Sequence, residues 1–113
     1  MGKNLEISLL LDFYGEMLTE KQRDMVDYYY NDDLSLSEIA EQMGITRQAV
    51  RDSIKKTEQE LFFYEEKLGL RRRFTEAEAH VGAAISLCQA AGDALPPALA
   101  DELEAIRRAV SID

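Results

Sequence analysis

Leu36-Ser37-Glu38-Ile39-Ala40-Glu41-Gln42-Met43-Gly44-Ile45-Thr46-Arg47-Gln48-Ala49-Val50-Arg51-Asp52-Ser53-Ile54-Lys55 reads as two helices joined by a tight turn. A second helix can cross closely over the first only where the first is small, and Ala40 meets that need. Gly44 can take the positive φ that such a turn demands, which a residue with a Cβ resists. Ile39, Met43, Ile45 and Val50 fall where they fill the wedge between the helices, and Thr46 supplies a hydroxyl to cap the second one. Ser53 occupies a position that is often apolar in such pairs; Ile54, four residues after Val50, takes over that burial. The pattern is a helix-turn-helix. Its plain alternative is an αα-corner used only for packing.

The outward side of the second helix carries Arg47, Gln48, Arg51 and Lys55, with Lys56 beside them. Guanidinium, amide and ammonium groups pair with phosphates and with the acceptor edges of guanine and adenine, so this face is the candidate nucleic-acid contact. Charge is segregated around it. Residues 1–46 hold three cationic and ten anionic side chains, a net −7, and residues 74–113 hold two and seven, a net −5. Residues 47–73 hold eight and five, a net +3, which is the basic stretch of a chain whose total is −9. A protein this acidic is repelled on average by polyanions, so nucleic-acid binding has to be local.

Outward from the motif, helix starts recur. Thr19-Glu20-Lys21-Gln22, Ser35-Leu36-Ser37-Glu38 and Thr75-Glu76-Ala77-Glu78 each fit the capping box, in which a hydroxyl and an acidic or amide side chain answer each other's backbone N–H groups. Thr46 opens a further helix, and Pro96-Pro97 suit the first turn of another, where a missing N–H costs nothing. With an opening helix over about residues 5 to 16, six helices are predicted. The longest runs from Arg47 to Leu68, since Val50, Ile54, Thr57, Leu61, Tyr64 and Leu68 step by fours and threes, and Gly69 stops it. Phe74, Ala77, Val81, Ala84, Cys88 and Ala91 form a similar stripe, as do Leu95, Leu99, Leu103, Ile106 and Val110. The expected fold is therefore all-α: a helix-turn-helix domain over 1–70 with an extended long helix, and a C-terminal helical tail over 71–113 that packs on that helix.

At 113 residues, with 46% apolar and 31% charged side chains, the chain can bury one core but cannot build two catalytic lobes. One Cys and one His exclude an internal disulfide and a zinc site built from these two alone. Ile7-Ser8-Leu9-Leu10-Leu11 is too short to cross a bilayer and is flanked by Glu6 and Asp12, so neither membrane insertion nor export is expected, and the cytoplasm is the expected compartment. Asp32-Asp33 and Asp101-Glu102-Glu104 have no base, nucleophile or phosphate loop beside them, so no enzyme and no cofactor is expected.

Two levels of resemblance follow from these residues. Leu18 through Leu61 is similar to region 4 of bacterial sigma factors, which reads promoter DNA. More closely, Asp12-Phe13-Tyr14, Leu18-Thr19-Glu20-Lys21-Gln22-Arg23, Tyr29-Tyr30-Asn31-Asp32-Asp33-Leu34-Ser35-Leu36-Ser37-Glu38-Ile39-Ala40, Thr46-Arg47-Gln48-Ala49-Val50-Arg51-Asp52 and Tyr64-Glu65-Glu66-Lys67-Leu68-Gly69-Leu70 resemble the YlxM family, small sigma-like helix-turn-helix proteins. The resemblance covers residues 5 to 70; the Ala-rich tail from Glu76 departs from the more polar family tail.

What the resemblance implies is a regulatory, nucleic-acid-binding accessory of the signal recognition particle pathway, since genes of the family lie beside those for the particle's protein and its receptor. The family's nucleic-acid face falls on Thr46, Arg47, Gln48, Arg51, Lys55 and Lys56. DNA and signal recognition particle RNA are both admissible partners, and the particle's protein or its receptor is a further one. The competing reading is a non-catalytic interaction module that binds a targeting GTPase through its acidic surface.

Other features have plainer readings. Tyr28-Tyr29-Tyr30 and Phe62-Phe63-Tyr64 invite base stacking, but three consecutive helical residues fan over about 200°, so at least one of each trio must face the core. Arg71-Arg72-Arg73 either extend a phosphate track or sit near the carboxyl end of the long helix, where positive charge is favourable. His80 reads as a polar-face residue and Cys88 as small core filler. Leu5, Ile7, Leu9, Leu10, Leu11, Phe13 and Tyr14 are apolar on more than one face, which predicts a homodimer with the opening helix, aided by the long helix or the tail, at its interface.

Overall fold

The computed structural model describes residues 3–110. Among them are six α-helices and two short 3₁₀ turns: α1 Glu6–Tyr14, a turn at Gly15–Met17, α2 Glu20–Tyr30, α3 Leu36–Met43, α4 Arg47–Leu68, α5 Leu70–Ala91, a turn at Gly92–Ala94, and α6 Pro97–Val110. The chain is all-α, as its periodicity implies. It divides into two compact units, one ending at Gly69 and the other beginning at Leu70.

Three of the four capping hydroxyls act as expected. Thr19 accepts from the Gln22 N–H and Ser35 from the Glu38 N–H, each within a complete capping box, and Thr46 accepts from the Ala49 N–H. Thr75 does not open a helix. Gly69 ends α4 in the left-handed conformation at φ 62°, and α5 then starts at once from Leu70, so Thr75 lies within it. The reason is local: Leu70 to Phe74 contains no breaker and is rich in Arg and Leu, which are good helix formers. That start also places Arg71-Arg72-Arg73 within α5. They occupy the first turn of α5, at the positive end of its dipole, so the dipole does not explain them.

In the first unit the interior is built from one stripe per helix. Ile7, Leu10 and Tyr14 come from α1, Met25, Val26 and Tyr29 from α2, Ile39 and Ala40 from α3, and Val50, Ile54, Thr57 and Leu61 from α4. Fully burying an aliphatic side chain of this size stabilises by about 1.5–3 kcal/mol, which makes this shared interior the principal source of order in the unit. The opening helix hides more than its sequence suggests, leaving Leu5 and Leu9 as its exposed large apolar residues. Of the aromatic trios, Tyr29 is buried and packs edge-on against Tyr30, while Tyr64 lies 5.9 Å from the Tyr14 ring.

Polar groups tie the helices at the margins of that interior. The Tyr14 hydroxyl donates to Glu65 at 2.6 Å, joining α1 to α4. The Tyr30 hydroxyl donates to Glu58, joining α2 to α4, and burial, followed by the Glu58 carboxylate, pushes the phenol well above its ordinary range. Lys3 pairs with Asp33 and lies 4.5 Å from the centre of the Tyr29 ring; that pairing holds the Asp33 carboxyl below its usual range.

The second unit is a helical hairpin. α5 and α6 pack together across Gly92–Ala94, and Pro97 is the first residue of α6. Neither helix contains a buried residue among those described. Phe74, Val81, Ala84, Cys88 and Leu103 are half-buried, whereas Leu95, Leu99 and Ile106 of the same stripes are exposed.

Candidate nucleic-acid interface

The turn between α3 and α4 is closed by backbone bonds. Gly44 sits at φ 69° and its N–H donates to the Ala40 carbonyl, which also accepts from the Ile45 N–H at 3.1 Å. The Ile45 bond is the 6→1 bond of a Schellman ending and the Gly44 bond is the 5→1 bond of the αL motif, so both meet on a carbonyl that the helix end otherwise leaves open. A Cβ on Gly44 would meet no atom within 4 Å, so backbone conformation rather than crowding selects glycine here. Thr46 then turns extended, at φ −77° and ψ 155°, and its hydroxyl takes the Ala49 N–H at 3.0 Å.

Beneath the turn, Ile39, Ala40, Val50 and Ile54 belong to one core cluster with Met25 and Tyr29, and Met43 and Ile45 are packed against it. This is the wedge the sequence implies. Ile54 is fully buried while Ser53 is only half-buried, so Ile54 supplies the burial that Ser53 lacks. Burying one side of α4 fixes which side meets water.

All six residues of the candidate face, Thr46, Arg47, Gln48, Arg51, Lys55 and Lys56, are exposed. Arg47, Arg51 and Lys55 follow at intervals of four and form one row; Gln48, Asp52 and Lys56 form the next. Each row spans about 12 Å along the axis. Among the described residues, Arg47, Arg51, Lys55 and Lys56 make no ion pair, so their charges are available to an anion. The Arg47 and Gln48 amides, in the first turn of α4, have no carbonyl partner within the helix, which adds donors at its leading end.

One participant was not singled out by sequence. Asp52 accepts from Gln48 Nε2 at 2.9 Å, placing a carboxylate in the middle of the cationic face. The i,i+4 spacing of an amide and an acid is the signal that could have revealed it. Arg47 also lines a shallow groove with Lys3, Tyr29, Asp33 and the first turn of α3.

Among the described residues there is no cluster of three or more His, Cys, Asp or Glu able to hold a metal ion, and no helix long and apolar enough to cross a membrane. His80 is exposed and Cys88 half-buried.

Comparison with known proteins gives a consistent picture. The family model described as "UPF0122: Putative helix-turn-helix protein, YlxM / p13 like" matches residues 1–85. A UPF0122 protein of Desulforamulus reducens is 50% identical over 82 residues, covering 73% of this chain and 70% of the relative. One from Listeria innocua is 51% identical over 76 residues, covering 67% and 69%, and one from Clostridium kluyveri is 56% identical over 70 residues, covering 62% and 63%.

Proposed function

Because this chain belongs to the UPF0122 family of YlxM/p13-like helix-turn-helix proteins, we propose that it is a non-catalytic regulatory protein that binds nucleic acid through the leading half of α4. The observation that carries the reading is the set of exposed cations Arg47, Arg51, Lys55 and Lys56, unpaired among the described residues, on the helix that follows a Gly44 turn. Arg47, Gln48 and Arg51 approach a groove or backbone, Lys55 and Lys56 add charge, and Thr46 holds the leading turn in shape. A helix of this kind fits the major groove of B-form DNA; on RNA it reads backbone shape or an irregular region.

The pathway we assign is co-translational targeting in the cytoplasm, with signal recognition particle RNA as the RNA partner and the particle's protein or its receptor as a protein contact. A homodimer is part of the reading, because two copies present two leading helices to one nucleic acid. A second reading draws support from the net charge of −9 and from Asp52 within the face: a protein-interaction module that binds a targeting GTPase.

Binding of the purified protein to labelled duplex DNA, signal recognition particle RNA and the targeting proteins across a salt series separates the two. Contact with about four phosphates gives a log–log slope of roughly −3 to −4. If no salt-sensitive complex forms with either nucleic acid while a targeting protein binds, the protein-module reading replaces this one.

A further inference from the structure

The hairpin of α5 and α6 has no interior of its own. Not one described residue of either helix is buried, and Leu87 is 71% exposed, Leu99 39% and Ile106 44%. Two helices in contact cover only part of each other's apolar stripe, and a stripe left open to water is unfavourable. The family match ends at residue 85, within α5, and α6 lies beyond it.

Charge along the hairpin is polar from end to end. Asp93, Asp101, Glu102 and Glu104 gather toward the turn, Glu104 pairing with Arg107 of its own helix, and Arg71, Arg72 and Arg73 stand at the opposite end of α5, followed there by Glu76 and Glu78. At about 1.5 Å per residue α5 is roughly 33 Å long; Arg73 lies about 27 Å from its Ala91 end and Asp101 about 6 Å into α6 from the Pro97 end. Two such hairpins laid antiparallel with their ends flush bring each Arg73 level with Asp101 of the second copy. A parallel pairing instead sets three arginines beside three arginines and acids beside acids. An anionic lipid surface is disfavoured by the same acids flanking the α6 stripe.

We infer that the α5–α6 hairpin is a docking surface for a second copy of this chain, the two hairpins pairing antiparallel into a four-helix bundle closed by Leu99 and Ile106 and registered by Arg73 against Asp101. The inference deepens the homodimer reading above by moving its interface from the opening helix, where the sequence analysis puts it, to the hairpin, and it does not depend on what α4 binds. Four-helix packing of apolar stripes is a common way for helical pairs to complete a core, and a two-fold arrangement uses one surface patch on both copies.

Sedimentation of the full chain from 1 to 100 µM tests it. The expected result is a dimer whose dissociation constant rises with salt, and which Leu99→Glu converts to monomer while far-UV circular dichroism shows the helices retained. Arg73→Glu, on the exposed surface, weakens the dimer by roughly threefold to tenfold for two lost surface pairs. Adding Asp101→Arg to the same chain restores it, because each copy then supplies both reversed charges. A monomer at 100 µM overturns this inference together with the homodimer reading. A dimer that ignores both Leu99→Glu and the charge exchange overturns the hairpin interface alone, and a stable monomer that floats with phosphatidylglycerol vesicles shows the stripe to be lipid-facing and overturns it too.

Discussion

Gln22 Nε2 donates to the hydroxyl of Thr57 at 3.2 Å, joining the first turn of α2 to the middle of α4. Thr57 is fully buried, and the same amide nitrogen also reaches Glu60 at 3.1 Å. The other end of Gln22 closes the capping box, its Oε1 accepting from the Thr19 N–H at 3.2 Å. One side chain thus caps a helix and satisfies a buried hydroxyl.

Gln22→Ala is accordingly expected to cost about 1–2 kcal/mol, combining a lost cap with a weakened buried hydrogen bond. Thr57→Val should cost less, because it removes the hydroxyl together with its need for a partner and leaves Gln22 paired with Glu60. Urea unfolding of both single variants and the double variant measures the coupling; equal losses with full additivity would show the bond to be inert.

Gly44→Ala is expected to destabilise by about 1–2 kcal/mol, the cost of placing a Cβ in the left-handed region. Since no neighbouring atom is in reach, Gly44→Asn should recover part of that loss. Thermal or urea unfolding decides it. Equal losses in both variants would point to crowding rather than backbone conformation.

How much of this was legible in the sequence depends on how local each feature is. The caps at Thr19, Ser35 and Thr46 and the turn at Gly44 are settled by bonds within five residues, so the residues announce them. Thr75-Glu76-Ala77-Glu78 carries the same letters inside a helix, and only the preceding run from Leu70 distinguishes the two cases. The exposure of Arg47, Gln48, Arg51, Lys55 and Lys56 was legible because burial of Val50, Ile54 and Thr57 fixes the opposite side by geometry alone. Asp52 was missed because a side-chain bond within an exposed face leaves no mark on periodicity. Gln22 against Thr57 was missed because it joins residues 35 apart in sequence.

Arg51→Ala should weaken nucleic-acid binding and lower the salt slope by about one, provided its guanidinium meets a phosphate in the complex. It should leave the unfolding midpoint unchanged, since Arg51 is exposed and makes no ion pair among the described residues. Asp52→Asn tests the carboxylate in the face: removing a like charge from the path of a polyanion is expected to tighten binding at low salt, and the gain should vanish as salt rises. Fluorescence anisotropy across a salt series reads both.

Glu38 gives a pH dependence. Its carboxylate accepts from the Ser35 N–H at 3.0 Å, and that bond holds its carboxyl below the ordinary value of 4.5. A lowered folded-state value means that this contribution is present above about pH 4.5 and is lost as pH falls through the folded value. Glu38→Gln keeps an acceptor for the cap without the titration, so its stability should fall less steeply than wild type on acidification below that point. Identical acid profiles would remove Glu38 from the account.

The exposed face of α4 at Arg47, Gln48, Arg51, Lys55 and Lys56 contributes nothing to the interior that shapes it. Substitutions at these positions, unlike one at the Thr46 cap, leave the scaffold's foldability intact, so a lineage can exchange side chains there one at a time. Drift in the turn or the wedge enjoys no such freedom, because a change there is felt at once as loss of the fold.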